Sequence, residues 1–70
     1  MEYTLVGIRF TEKESYTLTE EEIITKSSDK SVIEKEYEDH KADFEIQYVL
    51  NDNLSHVAFS NIGDIKLTWK

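Results

Sequence analysis

The chain has 70 residues, of which 15 are acidic and 8 are basic, so its formal net charge at pH 7 is −7. A chain of this length makes one small domain, residues 1–70, which buries only roughly 60% of its unfolded surface. It contains no cysteine and two histidines, which excludes disulfide bridges and a Cys/His zinc site. The acidic balance argues against direct binding to nucleic acid or to an anionic membrane, because both require a basic surface.

The first part of the chain predicts a β-hairpin. Residues 2–10 alternate, with Thr4, Val6, Ile8 and Phe10 on one side, and β-branched and aromatic residues dominate. A charged loop follows, and residues 15–19 alternate again. A hairpin of these two strands would keep their apolar residues together.

Two interpretations of residues 20–27 stay open. Thr19 followed by Glu22 fits a capping box at the start of a helix, and three consecutive glutamates suit a helix N-terminus. Ile23, Ile24 and Thr25 are β-branched, however, so the second strand could instead continue to Lys26.

A helix is predicted over residues 31–42. Serine and aspartate residues that favour N-caps precede it, and Ile33 and Tyr37 are spaced four apart on one side. Lys35 with Asp39, and Glu36 with His40, have the spacing of stabilising helical pairs. The apolar stripe is narrow, so the helix needs a sheet to cover it.

The last part of the chain predicts a meander of three antiparallel strands over residues 43–50, 54–60 and 64–70. A two-residue turn at Asp52-Asn53 would place Tyr48 opposite Val57, and a turn ending at Gly63 would carry the pairing into the last strand. One face then collects the following apolar residues: Phe44, Ile46, Tyr48, Leu50, Val57, Phe59, Ile65, Leu67 and Trp69.

We expect the helix to pack on that apolar face. The fold class is therefore α+β, a mainly antiparallel sheet of four or five strands with one helix on one face. The order of the outer strands does not follow from the pattern.

No catalytic constellation is present, and we interpret the chain as a non-enzyme that needs no cofactor. Ser55 and His56 are adjacent in a predicted strand and so point to opposite faces, which excludes a catalytic dyad. The two glycines do not form a phosphate-binding loop, and Glu36 with His40 are too few ligands for a metal. No apolar run reaches the roughly 20 residues of a membrane helix, and no export signal opens the chain, which predicts a cytoplasmic protein.

The first functional hypothesis rests on acidic residues in the middle of the chain. Nine carboxylates fall within residues 20–43, against four lysines. We expect a protein-binding module that presents this charge to a basic protein, as a phage-type inhibitor of a host defence or nucleic-acid-processing protein would, in imitation of a phosphate backbone. An ordinary solvated surface is the alternative. The candidate partner-binding residues are Glu20, Glu21, Glu22, Glu34, Glu38 and Asp39.

The second hypothesis is a small oligomeric protein that binds an anionic ligand or a nucleotide on the basic side of its sheet. Lysine and arginine would meet phosphate, and a tyrosine would stack on a base. The candidate ligand-binding residues are Tyr3, Arg9, His56, Lys66, Thr68 and Lys70. A homodimer through the same face, using Leu5, Val49, Leu54 and Ala58, would enlarge the small core.

Overall fold

A computed structural model describes all 70 residues of the chain. Five strands form one antiparallel sheet and a single helix packs against it, which confirms the predicted α+β fold. The elements are β1 (Tyr3–Glu12), β2 (Thr17–Ser27), α1 (Lys30–His40), β3 (Ile46–Leu50), β4 (His56–Ser60) and β5 (Thr68–Trp69). The helix is not long and apolar enough to cross a bilayer.

The first hairpin is longer than predicted. Strand β2 continues through residues 20–27, so the helical interpretation of that segment is wrong and the strand interpretation is correct. Its β-branched residues favour the extended chain. A β-bulge lies opposite the step from Leu5 to Val6, where Ile24 is the extra residue of β2 and packs against the core.

The sheet order is β2-β1-β3-β4-β5, so the first hairpin joins the meander through β1 and β3. The fifth strand is much shorter than the predicted 64–70 and comprises only Thr68 and Trp69. Gly63 has the predicted positive φ, 86°. The chain after it does not rejoin the sheet at once, and Ile65, predicted to be buried, is 72% exposed.

The turn between β3 and β4 differs from the prediction. The positive φ, 60°, falls at Leu54, and the Asn51 side chain accepts hydrogen bonds from the backbone N–H groups of Asn53 and Ser55. The turn is therefore wider than Asp52-Asn53. Tyr48 lies opposite Phe59 rather than Val57.

The helix forms close to where it was predicted. The Asp29 carboxylate caps its N-terminus by accepting from the backbone N–H of Ser31 at 2.9 Å and from its hydroxyl at 2.7 Å. The hydrogen bond from the Ser31 hydroxyl, and after it the one from the Ser31 backbone, lower the pKa of Asp29 below its usual 3.8. Ile33 and Tyr37 form the buried stripe, as their spacing predicts.

The predicted position of the helix, over the Tyr48 and Phe59 side of the sheet, is wrong. The helix covers the other side, called the covered face below, and the core there comprises Leu5, Ile33, Tyr37, Val49, Ala58 and Leu67. The helix packs on this side because its small residues, Gly7, Ala58 and Ser60, leave room for close packing.

Candidate functional site

The candidate acidic residues divide unequally between the two sides of the sheet. Glu20 lies opposite Arg9 and Glu22 opposite Gly7, and both β1 residues are on the covered face, so both glutamates are on the same side of the sheet as the helix. Glu21 lies opposite Ile8 and points to the other side. Glu34, Glu38 and Asp39 are on the helix itself. We call the set Glu20, Glu22, Glu34, Glu38 and Asp39 the acidic side.

Several acidic residues already have partners within the chain. Glu38 and Asp39 pair with Lys41 and Lys35 at 3.5 and 3.4 Å on exposed surface, where such pairs are weak. Glu34 differs, because it accepts a hydrogen bond from the indole N–H of the half-buried Trp69. Glu34 thus ties the helix to β5.

Glu20 is the least committed member of the acidic side. It is exposed and has no cation within 4.0 Å. Glu22 pairs with Arg9 at 3.7 Å, with both side chains well exposed. Four of the five members of the acidic side therefore have a partner within the chain, and Glu20 alone has none.

The prediction that the six basic-side residues share one face is wrong. Tyr3 and Arg9 are on the covered face, about 20 Å apart along β1 at 3.3 Å per residue. His56 and Thr68 are on the opposite face, since they lie across from Leu50 and Phe59. Lys66 and Lys70 are exposed near the C-terminus, outside any strand.

Arg9 and Tyr3, two residues of that set, make contacts that stabilise the fold. The Arg9 guanidinium lies 4.6 Å from the ring centre of Phe44, and its Nε donates to the carbonyl of Asp43 at 3.1 Å. Tyr3 meets Trp69 edge to face at 5.5 Å, with the Lys30 ammonium 4.8 Å from the Trp69 ring. No common anion site results from these positions.

The side of the sheet away from the helix is also apolar. The sequence pattern predicted that the Tyr48 and Phe59 side would be buried in the core. This open face carries Val6, Ile8, Phe10, Ile23, Ile46, Tyr48, Leu50 and Phe59. Phe10, Ile23 and Phe59 expose 38%, 59% and 38% of their surface. The proposed dimer residues Leu5, Val49 and Ala58 are instead fully buried beneath the helix.

A shallow hollow lies in the open face beside β2. Its volume is about 370 Å³, and Val6, Tyr48, Leu50, Ile23 and Leu54 supply its apolar lining. The Tyr48 hydroxyl donates to Glu21 at the rim at 3.1 Å, and the Tyr48 ring stacks on His56 with centroids 4.7 Å apart. Burial, then the hydrogen bond to Glu21 and its charge, raise the pKa of Tyr48 above its usual 10.0.

A second cavity, of about 310 Å³, lies between the end of the helix and the turn after β4. Gln47 and Ser60 are its buried polar residues. The Gln47 amide donates to the carbonyl of Tyr37 in the last turn of the helix, at 3.3 Å, while its Oε1 has no hydrogen-bond partner. Sequence pattern alone did not identify this cavity.

No group of three or more His, Cys, Asp or Glu side chains is arranged to hold a metal ion. The two histidines lie in separate places: the Nδ1 of His40 contacts the carbonyl of Glu36 on the helix, and His56 stacks on Tyr48 in the sheet. No protein-family model matches the chain, and no curated protein or solved structure is significantly similar to it.

Proposed function

We propose that the chain is a non-enzymatic, cytoplasmic protein-binding module that presents its acidic side to a basic surface of another protein. The observation that carries the proposal is the grouping of Glu20, Glu22, Glu38 and Asp39 on one side of the sheet, exposed and in a chain of net charge −7. Negative potential concentrated in this way speeds encounter with a basic partner and opposes contact with phosphates.

A suitable partner is a defence or nucleic-acid-processing protein whose cleft is basic because it binds a phosphate backbone. Carboxylates that occupy such a cleft would inhibit the partner by excluding its nucleic acid. The module itself would make no direct contact with nucleic acid, because its charge has the wrong sign.

The alternative of an anion-binding oligomer receives no such support. Its candidate residues lie on both faces of the sheet, and Arg9 is already engaged with Phe44, Asp43 and Glu22. A phosphate group that binds Arg9 would have to displace these contacts.

The experiment compares two double variants with equal net charge. Glu20→Lys with Glu38→Lys reverses charge on the acidic side, whereas Glu2→Lys with Glu14→Lys reverses exposed charge near the N-terminus and at the hairpin turn. Glu34 is left unchanged because its substitution would also disturb Trp69.

Each protein is used to capture partners from a lysate of the native host, and the captured protein is then purified for binding measurements. We expect the acidic-side variant to weaken binding at least about tenfold, the control to leave it nearly unchanged, and added salt to raise the Kd. A partner that binds both variants equally, or whose affinity is insensitive to salt, would refute the proposal.

A further inference from the structure

The open face differs from the rest of this highly charged chain, because it is apolar and almost free of charge. Apart from Glu12 near the hairpin turn, the strand register places only two charged side chains on it, Glu21 and Lys26, which have opposite signs. Both belong to the edge strand β2, so the centre of the face has no charge. An apolar, aromatic centre with a polar rim is the usual composition of a protein interface.

We propose that a second copy of this chain covers the open face, so that two sheets stack face to face with the helices outside. Stacked sheets lie about 10 Å apart and interdigitate their inner side chains. In the resulting dimer, Phe59, Tyr48 and Ile23 would leave water. This inference concerns a different surface from the acidic side and does not depend on the proposed function.

The dimensions of the molecule fit such a dimer. Its extents are 42 × 25 × 19 Å, and an ellipse with the two longer axes covers about 800 Å². A stable interface removes about 800 Å² of surface from each partner. Because this ellipse is the outline of the whole molecule, a specific dimer would cover nearly all of one broad side.

Charge also favours the open face over other routes of self-association. Two copies of net charge −7 repel each other, and pairing through the helix side would bring the acidic sides together. Pairing through the edge of β2 with the two-fold axis near Glu21 would bring Glu20, Glu21 and Glu22 of the two copies together. The other edge, β5, is only two residues long. The open face avoids these repulsions and is larger than the edge of β5.

The small core gives a reason for the second copy to bind. Only 11 of the 70 residues are buried, and eight of these are hydrophobic. A domain of this size is marginally stable when isolated, and burying a second apolar layer on association would add to its stability. At the rim of the open face, the carboxylate of Glu21 already has a partner, because it accepts a hydrogen bond from the Tyr48 hydroxyl.

The test measures molar mass by sedimentation equilibrium, from about 1 µM to about 1 mM protein, a range that covers weak and moderate dimers. We expect the mass to rise from 8.2 kDa towards about 16.4 kDa, twice that of one chain. Higher salt should strengthen the dimer, because it screens repulsion between two acidic copies, whereas it should weaken binding at the acidic side.

Phe59→Glu is the test variant and Val32→Glu, on the helix, is its control, since the two residues are 38% and 40% exposed. Phe59→Glu should raise the dimer Kd about 100-fold, because a two-fold interface contains the substitution twice. The control should change it less than about threefold. Circular dichroism establishes that each variant is folded, and if Phe59→Glu unfolds, Ile23→Glu replaces it at a position that is 59% exposed.

Two results would overturn the inference. One is a wild-type protein that stays at 8.2 kDa throughout the concentration range. The other is a dimer that persists in the open-face variant, or that the Val32→Glu control disrupts equally. Either result would show that the open face is not covered by a second copy.

Discussion

Gly7 lies in the middle of β1 at a point where another part of the chain comes very close. A Cβ atom at this position would lie 2.5 Å from Cγ of Phe44 and 2.6 and 2.7 Å from its two Cδ atoms. These atoms are the near end of the ring, which is held between Gly7 and the Arg9 guanidinium and is only 8% exposed. The ring therefore cannot move aside without losing contacts.

The Gly7→Ala substitution accordingly has two opposing effects. Alanine is favoured over glycine in a strand by about 0.5–1 kcal/mol, because the unfolded chain loses freedom. Forcing an extra methyl group into a packed region costs about 1–3 kcal/mol. The packing term is larger, so we expect a net loss of about 1–2 kcal/mol, which lowers the Tm of a domain this size by about 4–16 °C.

The assay is thermal and urea unfolding followed by circular dichroism, in a double-mutant cycle with Phe44→Leu. Leucine can turn away from the added methyl group, so Gly7→Ala should be neutral or stabilising in that background. A stabilising effect of Gly7→Ala in the wild type would refute the reasoning. An equal loss in both backgrounds would show that the Phe44 ring is not the cause.

The remaining predictions concern two side-chain hydrogen bonds. Because the pKa of Tyr48 is raised above 10.0, its contribution to stability is complete below pH 10.0 and is lost as the pH rises through the folded-state value. In urea unfolding at increasing pH, Tyr48→Phe should therefore lose less stability than the wild type in the alkaline range, and an unchanged slope would contradict this. Glu34→Ala should destabilise the fold by about 1–2 kcal/mol and shift the emission of Trp69 to the red, whereas Glu34→Gln, which keeps an acceptor, should do less. Equal losses in the two Glu34 variants, measured by Trp69 fluorescence during urea unfolding, would exclude the hydrogen bond as the cause.

Local patterns in the sequence were sufficient to predict most of the elements. Alternation identified β1, and the spacing of Ile33 and Tyr37 identified the buried side of the helix. The pairs Lys35 with Asp39 and Glu36 with His40 form as predicted, at 3.4 and 3.6 Å. These features depend on residues close together in the chain, so the pattern contains the information they require.

The side chains of β4 do not alternate regularly between the two faces of the sheet, as a period of two would require. A bulge opposite the step from Val49 to Leu50 puts His56 and Ala58 on opposite sides of the sheet, although regular alternation would place them together. The predicted ligand-binding set depended on that regularity, so His56 does not join Arg9 on one face. The predicted dimer residues Leu5, Val49 and Ala58 do share a face, but the helix covers it.

The sequence by itself determined the fold class, the helix with its buried stripe and the positive φ at Gly63. Only the tertiary structure decided which side of the sheet the helix covers. Both sides are apolar, so hydrophobicity does not distinguish them. The choice depends on the volumes of residues far apart in sequence, such as Gly7 and Ala58, which must be small where the helix and Phe44 pack. That choice leaves Tyr48 and Phe59 on the open face, where the inferred dimer would form.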